Sequence, residues 1–220
     1  MKPSLDQLDR SSVADVLRAA PMVPVITIEN IEDAVPLAIA LRDGGLPVLE
    51  VTLRTPAGAE AIRLIKQEVE NVVVGAGTVI NKQTLDLACN AGSEFIVTPG
   101  TTDGLLEAAI KSGVPLLPGV SSVSDIMRCL DHGFNRLKFF PAEAAGGVKA
   151  LKAFSGPFSD LQFCPTGGIG LNNMLDYLSL PSVLSVGGSW VTPAQAVHEG
   201  NWQVLRDLAQ EASDKAKSRS

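Results

Sequence analysis

The chain has 220 residues, of which 45% are hydrophobic and only 5% aromatic, and it contains 20 glycines and 14 prolines. Aliphatic runs punctuated by glycine and proline favour a compact α/β protein over a helical bundle or a disordered chain. The formal net charge of -6 and the lack of a lysine and arginine stripe exclude nucleic acid as the main partner, whereas a small anionic ligand stays open.

The three cysteines, Cys89, Cys129 and Cys164, are widely spaced and odd in number. They predict neither a disulfide framework nor a CxxC metal site. The amino-terminal segment MKPSLDQLDRSS has no basic region followed by an apolar stretch, so it does not resemble a secretory signal. No run approaches the roughly 18 apolar residues of a membrane span. We therefore expect a soluble cytoplasmic protein with no membrane partner.

Strand-like runs alternate with helix-like segments along the chain. The expected strands cover residues 23–28, 47–54, 71–78, 93–99, 114–119, 136–141, 162–167 and 183–189. Amphipathic segments between them cover residues 31–43, 57–69, 82–91, 103–111, 123–131 and 147–154. Capping residues precede several of these segments: Asn81, Thr102, and Ser122 or Ser124. A further helix is expected at about residues 5–19, and a polar, frayed tail at residues 213–220.

Eight strand–helix units predict a (β/α)8 TIM barrel with an extra amino-terminal helix. An open, doubly wound sheet is the alternative. It needs fewer strands and usually a glycine-rich turn after the first strand, which the segment after residues 23–28 lacks. Because no linker or shift in composition divides the chain, residues 1–220 are expected to form a single domain. Function in such a barrel resides at the carboxyl ends of the strands.

Lys138 lies in the apolar run Arg-Leu-Lys-Phe-Phe-Pro, near a predicted strand end. Burial disfavours the charged form of an amine, and a neutral amine can attack a carbonyl carbon. The alternative is a lysine whose ammonium group reaches water. Other lysines fall on helix-like segments, where we expect them to be solvated: Lys66, Lys82, Lys111, Lys149 and Lys152.

The run Leu-Glu-Val-Thr-Leu-Arg alternates with period two, so Glu50, Thr52 and Arg54 share one strand face. The opposite, aliphatic face should meet the helices, which directs Glu50 and Arg54 into the barrel. One hypothesis is a structural ion pair between these two side chains. The other is a site where the carboxylate moves protons and the arginine binds a substrate carboxylate.

Two glycine pairs follow neighbouring predicted strands. Thr166-Gly167-Gly168 and Gly187-Gly188-Ser189 are typical of the phosphate site that barrels carry after strands seven and eight, although a simple turn is the alternative. His132 and His198 fall at probable helix ends. With no histidine or acidic cluster at ligand spacing, we expect no metal and no other cofactor. If the chain cleaves carbon–carbon bonds, an imine on Lys138 should be the electron sink.

Seven motifs together resemble the bacterial 2-keto-3-deoxy-6-phosphogluconate (KDPG) aldolases. They are Glu-Val-Thr-Leu-Arg-Thr (50–55), Val-Gly-Ala-Gly-Thr-Val (74–79), Thr-Pro-Gly (98–100), Lys-Phe-Phe-Pro-Ala-Glu (138–143), Gly-Gly-Val-Lys-Ala-Leu (146–151), Cys-Pro-Thr-Gly-Gly-Ile (164–169) and Gly-Gly-Ser-Trp (187–190). The resemblance implies a class I aldolase on a (β/α)8 barrel, usually a homotrimer. It would cleave KDPG to pyruvate and D-glyceraldehyde 3-phosphate in the Entner–Doudoroff route, and often also 4-hydroxy-2-oxoglutarate (KHG) to pyruvate and glyoxylate.

The resemblance also implies a role for each matching residue. Lys138 would form the imine, and Glu50 would act as general acid and base. Four residues would surround the carboxylate end of the substrate, two as ligands and two as pocket walls: Arg54 and Thr78, then Pro99 and Phe140. Four residues would hold the distal end and its phosphate: Thr166, Gly167, Gly168 and Ser189.

The implied mechanism is imine catalysis. Lys138 attacks the C2 ketone, Glu50 passes protons as the carbinolamine loses water, and the protonated imine withdraws electrons as the C3–C4 bond breaks. Two other functions stay open on the sequence. An aldolase for the galactonate epimer would keep the lysine motif and change the residues near C4 and the phosphate. A non-catalytic phosphosugar-binding barrel would use Lys138 only as a cation.

Overall fold

The computed structural model describes residues 12–218. Strands and helices alternate throughout this part of the chain. The strands are β1 (Met22–Ile26), β2 (Val48–Thr52), β3 (Val73–Gly77), β4 (Ile96–Val97), β5 (Leu116–Leu117), β6 (Gly119–Val120), β7 (Arg136–Phe139), β8 (Gln162–Pro165) and β9 (Val186–Gly188). The helices are α1 (Val13–Ala19), α2 (Ala34–Asp43, after a 3-10 turn at Ile31–Asp33), α3 (Gly58–Glu68), α4 (Lys82–Asn90), α5 (Asp103–Ser112), α6 (Val123–Asp131), α7 (Gly147–Phe154), α8 (Met174–Leu178), α9 (Ala194–His198) and α10 (Trp202–Lys217).

All strand pairs are parallel, and the first strand pairs with the last. One sheet has the order β5-β4-β3-β2-β1-β9, and β6-β7-β8 form a second sheet. The sheets are joined by Pro118 between β5 and β6, and by the bridges Phe163–Val183 and Thr166–Gly187. This cyclic order is the TIM-barrel-like α/β fold that the sequence predicts. The doubly wound alternative is wrong, because an open sheet does not return to its first strand.

The observed strands are shorter than the predicted ones. The predicted strand at residues 114–119 is divided because Pro118 has no N–H group to donate to a neighbouring strand. Its carbonyl oxygen still accepts from the Lys138 N–H over 2.8 Å, which keeps β7 in place. Helix starts are predicted more accurately, because capping is local in sequence. Asn81 and Ser122 form capping boxes, and the Thr102 side chain caps α5.

Successive side chains along each strand point to opposite faces of the sheet, so the apolar residues form two clusters, one inside the barrel and one between the strands and the helices. Val48 and Val73, at the amino-terminal ends of β2 and β3, pack with Val16 and Leu17 of α1. α1 therefore closes the barrel at the end opposite the predicted site. Leu49 and the other outward-facing strand residues belong to the larger cluster between the strands and the surrounding helices.

Both ends of the described chain are helical. α1 begins at Val13, and the rest of the predicted amino-terminal helix, residues 5–11, lies outside the described residues. The prediction of a frayed tail is wrong over residues 213–217, because α10 continues to Lys217 and Ser213 is 4% exposed. None of the helices within residues 12–218 has the length and hydrophobicity of a membrane span.

The contact between α2 and α10 depends on Gly44. A Cβ there would lie 2.5 Å from both the Ala209 Cβ and the Arg206 carbonyl oxygen. We expect Gly44→Ala to lower the free energy of unfolding by about 1–3 kcal/mol, measured by urea denaturation. Gly104→Ala on α5 is the matched control, since nothing lies within 4 Å of its added Cβ. Equal stability of the two variants would contradict this packing.

Candidate active site

Lys138 and Glu50 form a buried ion pair inside the barrel. Lys138 comes from β7 and Glu50 from β2, and their side chains are 7% and 4% exposed. The Lys138 Nζ donates to Glu50 Oε1 over 3.2 Å, across 88 positions of sequence. The Phe140 ring lies beside the same nitrogen, 5.2 Å from Nζ to the ring centroid. The lysine therefore has a carboxylate partner and an aromatic wall, and the alternative of an ammonium group in water is wrong.

Glu50 fits inside the barrel because the residue beside its carboxylate on β3 is a glycine, Gly77. A Cβ on Gly77 would lie 2.2 Å from Glu50 Oε1 and 2.7 Å from its Cγ. Any side chain at position 77 would push the carboxylate out of its place. Gly77 is a site residue that the sequence analysis did not identify, although it lies within the motif at residues 74–79.

Arg54 lies at the mouth of the site. β2 ends at Thr52, so Arg54 falls in the following turn, where it is exposed and its Nε donates to Thr78 Oγ1 over 3.2 Å. The hypothesis of a Glu50–Arg54 ion pair is wrong, because the carboxylate pairs with Lys138. Thr78 has a φ of 60°, which is rare for a β-branched residue and is typical of positions held for binding.

A cavity of about 250 Å³ opens above Lys138 at the carboxyl ends of the strands. Its lining includes most of the predicted site residues: Arg54, Lys138, Phe140, Thr166, Gly167, Gly168, Gly188 and Ser189. It also includes three residues that the sequence analysis missed: Val25, Thr27 and Ile169. A second cavity of about 310 Å³ adjoins it and shares Val25, Thr27 and Ser189.

Three predicted residues lie beside this cavity lining. Thr78 meets the cavity through its hydrogen bond to Arg54. Gly187 lies behind Thr166, where a Cβ would be 2.2 Å from Thr166 Oγ1. Pro99 packs against Gly119 at the neighbouring strand ends. These residues shape the site by position rather than by facing the cavity.

The loop at residues 166–168 presents polar groups to the cavity. Thr166 is 5% exposed and lines the cavity, and its side chain also lies within hydrogen-bonding reach of the buried Cys164 thiol. Gly167 and Gly168 have φ values of 102° and 76°, which glycine alone adopts without strain. The nearby Cys164 is not a competing nucleophile, because burial raises the pKa of its thiol to about 12.

The remaining candidate groups lie outside the cavity above Lys138. His132 caps α6, with its Nδ1 2.9 Å from the Arg128 carbonyl oxygen, and His198 ends α9 at the surface, as predicted. Across residues 12–218, no group of three or more histidine, cysteine or acidic side chains could hold a metal ion. The other lysines singled out in the sequence are all exposed, as predicted: Lys66, Lys82, Lys111, Lys149 and Lys152.

Comparison with known proteins identifies relatives of this barrel. The family model described as KDPG and KHG aldolase matches residues 13–208. The 2-dehydro-3-deoxy-phosphogluconate aldolase of Dickeya dadantii (strain 3937) is 54% identical over 203 residues, which cover 92% of this chain and 95% of the relative. The KHG/KDPG aldolase of Escherichia coli (strain K12) is 51% identical over 208 residues, which cover 94% and 98%.

A solved structure gives the same result. The crystal structure of KDPG aldolase from Legionella pneumophila, with pyruvate captured as a covalent carbinolamine intermediate, has a TM-score of 0.89 to this chain. The two are 48% identical, and the match covers 91% of this chain and 97% of the other. Fold and sequence therefore agree on one set of relatives.

The buried ion pair makes a prediction about stability. Glu50→Leu leaves the Lys138 ammonium without a counter-charge and should lower the free energy of unfolding by about 3 kcal/mol. The double variant Glu50→Leu/Lys138→Met should recover most of this loss in urea denaturation. Arg18→Met is the control, because its ion pair with Asp15 is exposed and worth about 1 kcal/mol or less. The single variant Lys138→Met is measured as well. A double variant whose loss of stability equals the Glu50→Leu and Lys138→Met losses added together would contradict the pairing.

Proposed function

Because this chain belongs to the KDPG and KHG aldolase family, we propose that Lys138 forms the imine and that Glu50 is its general acid and base. The enzyme is a carbon–carbon lyase that cleaves KDPG to pyruvate and D-glyceraldehyde 3-phosphate. The observation that carries these two roles is the buried 3.2 Å contact between Lys138 Nζ and Glu50 Oε1. This contact places a nucleophile within hydrogen-bond reach of a base.

The first half of the reaction builds the imine. The Lys138 ammonium passes a proton to Glu50, and the neutral amine attacks the C2 ketone. The new N–C2 bond forms as the carbonyl oxygen takes up a proton, which gives the carbinolamine. Glu50 then protonates the departing hydroxyl group, so that water leaves and a protonated imine remains. Each proton transfer uses the same carboxylate, already beside the nitrogen.

The second half breaks the carbon–carbon bond. Glu50, directly or through a water molecule, removes the proton of the C4 hydroxyl, and the aldehyde forms as the C3–C4 electron pair moves into the imine. The resulting enamine is protonated at C3. Hydrolysis of the imine releases pyruvate and returns the amine of Lys138. The positive nitrogen accepts the electron pair, so the lysine serves as the electron sink of the reaction.

The two charged ends of the substrate need different partners. We assign the carboxylate end to Arg54 and Thr78, with Pro99 and Phe140 as walls; the Arg54–Thr78 hydrogen bond at the cavity mouth supports this assignment. The phosphate end is assigned to two strand-end segments that meet at the Thr166–Gly187 bridge: Thr166, Gly167, Gly168, and Gly187, Gly188, Ser189. The assignment is supported by the residues of these segments that line the cavity, because backbone N–H groups and hydroxyl groups can bind an anion: Thr166, Gly167, Gly168, Gly188 and Ser189.

We further propose that the whole chain is one barrel domain that works in the cytoplasm without a metal or other cofactor. The imine supplies the electron sink that a metal would otherwise provide. Cys89, Cys129 and Cys164 are free thiols, which is typical of proteins in a reducing compartment.

We also propose that the enzyme is a homotrimer. Helices α4, α5 and α6, with the turn before α4, present exposed apolar side chains that we call the apolar helix face: Ile80, Leu87, Ile110, Val123, Met127 and Leu130. An ion pair of 3.4 Å between the exposed side chains of Arg128 and Asp103 joins α6 to α5. Exposed apolar side chains on neighbouring helices are typical of a protein interface, and a further copy of this chain is the partner that fits the family resemblance.

The catalytic roles predict a specific pattern of activity loss. Lys138→Arg keeps the positive charge without a nucleophilic amine and should abolish KDPG cleavage in a coupled assay of pyruvate release. Glu50→Gln keeps the shape of the side chain and should slow turnover about 100- to 10,000-fold with the fold intact by circular dichroism. Lys152→Arg on the exposed side of α7 is the control and should match wild type. Near-normal turnover of either site variant would remove that residue from its role.

The trimer predicts a change in mass when the apolar helix face is charged. Light scattering should give the wild-type protein three times the 23.0 kDa mass of one chain. Met127→Glu places a charge where burial is required and should yield monomers. Val204→Glu, on an exposed apolar position of α10, should stay trimeric. A monomeric wild type, or a trimeric Met127→Glu variant, would refute the assignment.

A further inference from the structure

Tyr177 and Glu143 form a hydrogen-bonded pair beside the loop at residues 166–168. Tyr177 is fully buried on α8, and its hydroxyl donates to the Glu143 carboxylate. Glu143 lies in the loop that follows Lys138 and Phe140, between β7 and α7. Burial raises the pKa of the Tyr177 hydroxyl, and the neighbouring Glu143 charge raises it further, so the group stays a donor at neutral pH. The catalytic mechanism uses neither side chain.

The Glu143 loop is hydrogen-bonded along its length to the loop assigned to the phosphate. The Ala142 N–H donates to the Thr166 carbonyl oxygen over 2.8 Å, and the Glu143 N–H donates to the Gly167 carbonyl oxygen over 3.1 Å. These contacts tie the segment that follows the imine lysine to the segment that faces the distal end of the substrate.

The side chain of Glu143 completes the contact with Gly168. A Cβ on Gly168 would lie 2.7 Å from the Cβ and Cγ of Glu143, so the stem of the side chain lies directly against the Gly168 backbone. On the other side, a Cβ on Gly147 would lie 3.1 Å from the Tyr177 hydroxyl and 3.3 Å from Glu143 Oε1. The backbone therefore approaches the pair from both sides, and the stem of Glu143 packs on Gly168 although the residue as a whole is exposed.

Helix α8 holds the phosphate loop by two routes. Asn173, just before the helix, donates from its side chain to the Gly168 carbonyl oxygen over 3.1 Å and accepts from the Gly170 N–H over 2.8 Å. Tyr177, one turn later, reaches the same loop through Glu143. The first route fixes the loop to its own helix. The second is different, because it fixes the loop to the segment that follows β7, the strand that carries Lys138.

We propose that Tyr177 and Glu143 are positioning residues that set the distance between the phosphate-binding loop at residues 166–168 and the imine lysine. The proposal rests on the assignment of that loop to the phosphate. The proposal predicts that the pair affects the binding of substrates that reach from Lys138 to the loop. Substrates too short to reach the loop should bind equally well without the pair. KDPG carries the phosphate, whereas KHG has none, so the two substrates separate positioning from general damage to the fold.

Tyr177→Phe removes the donor and keeps the ring in the core. We expect the KM for KDPG to rise about fivefold to tenfold with kcat within about twofold of wild type, because a contact that holds a binding loop is lost. Kinetics with KHG and the rate of reductive trapping with pyruvate should not change. Glu143→Ala should reproduce these effects. Glu143→Gln should keep the wild-type KM for KDPG, because its amide oxygen still accepts a hydrogen bond from Tyr177.

Leu178→Val is the matched control, because it removes one methylene from a fully buried neighbour on the same helix and leaves the pair intact. It should leave the KM for both substrates unchanged. An unchanged KM for KDPG in Tyr177→Phe, equal losses on KDPG and KHG, or a Glu143→Gln variant as impaired as Glu143→Ala would each overturn the proposal. A wild-type enzyme that fails to trap pyruvate would instead refute the imine mechanism, so the two failures are distinguishable.

Discussion

An ammonium group inside a barrel needs a counter-charge, and the geometry of this site follows from that need. Lys138 and Glu50 satisfy each other across the lumen, where either charge alone would be costly. The pair forms because β7 and β2 face one another around a closed order of parallel strands. It keeps its place because Gly77 leaves room for the carboxylate. α1 closes the opposite end, so the cavity opens only where the strands end in polar residues and glycines.

The same contact connects stability with chemistry. A buried ion pair need not raise the free energy of unfolding, since well-packed apolar residues in its place often give equal or higher stability. In the proposed function, the pair supplies two things that imine formation requires, a nucleophilic nitrogen and a carboxylate that takes its proton, and Phe140 adds an aromatic wall. Arg54 follows one strand and Thr166 follows another, and both line the cavity. Under the same proposal, these two positions would hold the two anionic ends of the substrate over the amine.

Local features were predictable from the sequence, because their causes are local. The capping box at Ser122 and the helix it begins depend on residues within one turn, and α6 and α7 have the predicted bounds. The strand positions follow from runs of aliphatic residues. The residues themselves indicated Lys138 as a nucleophile and offered Glu50 as a proton carrier, and the family resemblance then implied a specific role for each. Thr166 and the glycines after it were placed at the cavity, where the structure has them.

What the sequence left unpredicted depends on contacts between distant segments. Period-two alternation pointed Arg54 into the barrel, but β2 ends at Thr52 and the chain turns before Arg54. The reason for a glycine at position 77 is a carboxylate on the neighbouring strand. Ser213 was predicted in a polar tail, but it is buried beside Gly45, just after the end of α2.

The most direct test of the imine mechanism is borohydride reduction in the presence of pyruvate, followed by peptide mass mapping. The account predicts one stable pyruvyl adduct, on the peptide that contains Lys138; an adduct on another lysine, or none, would contradict it.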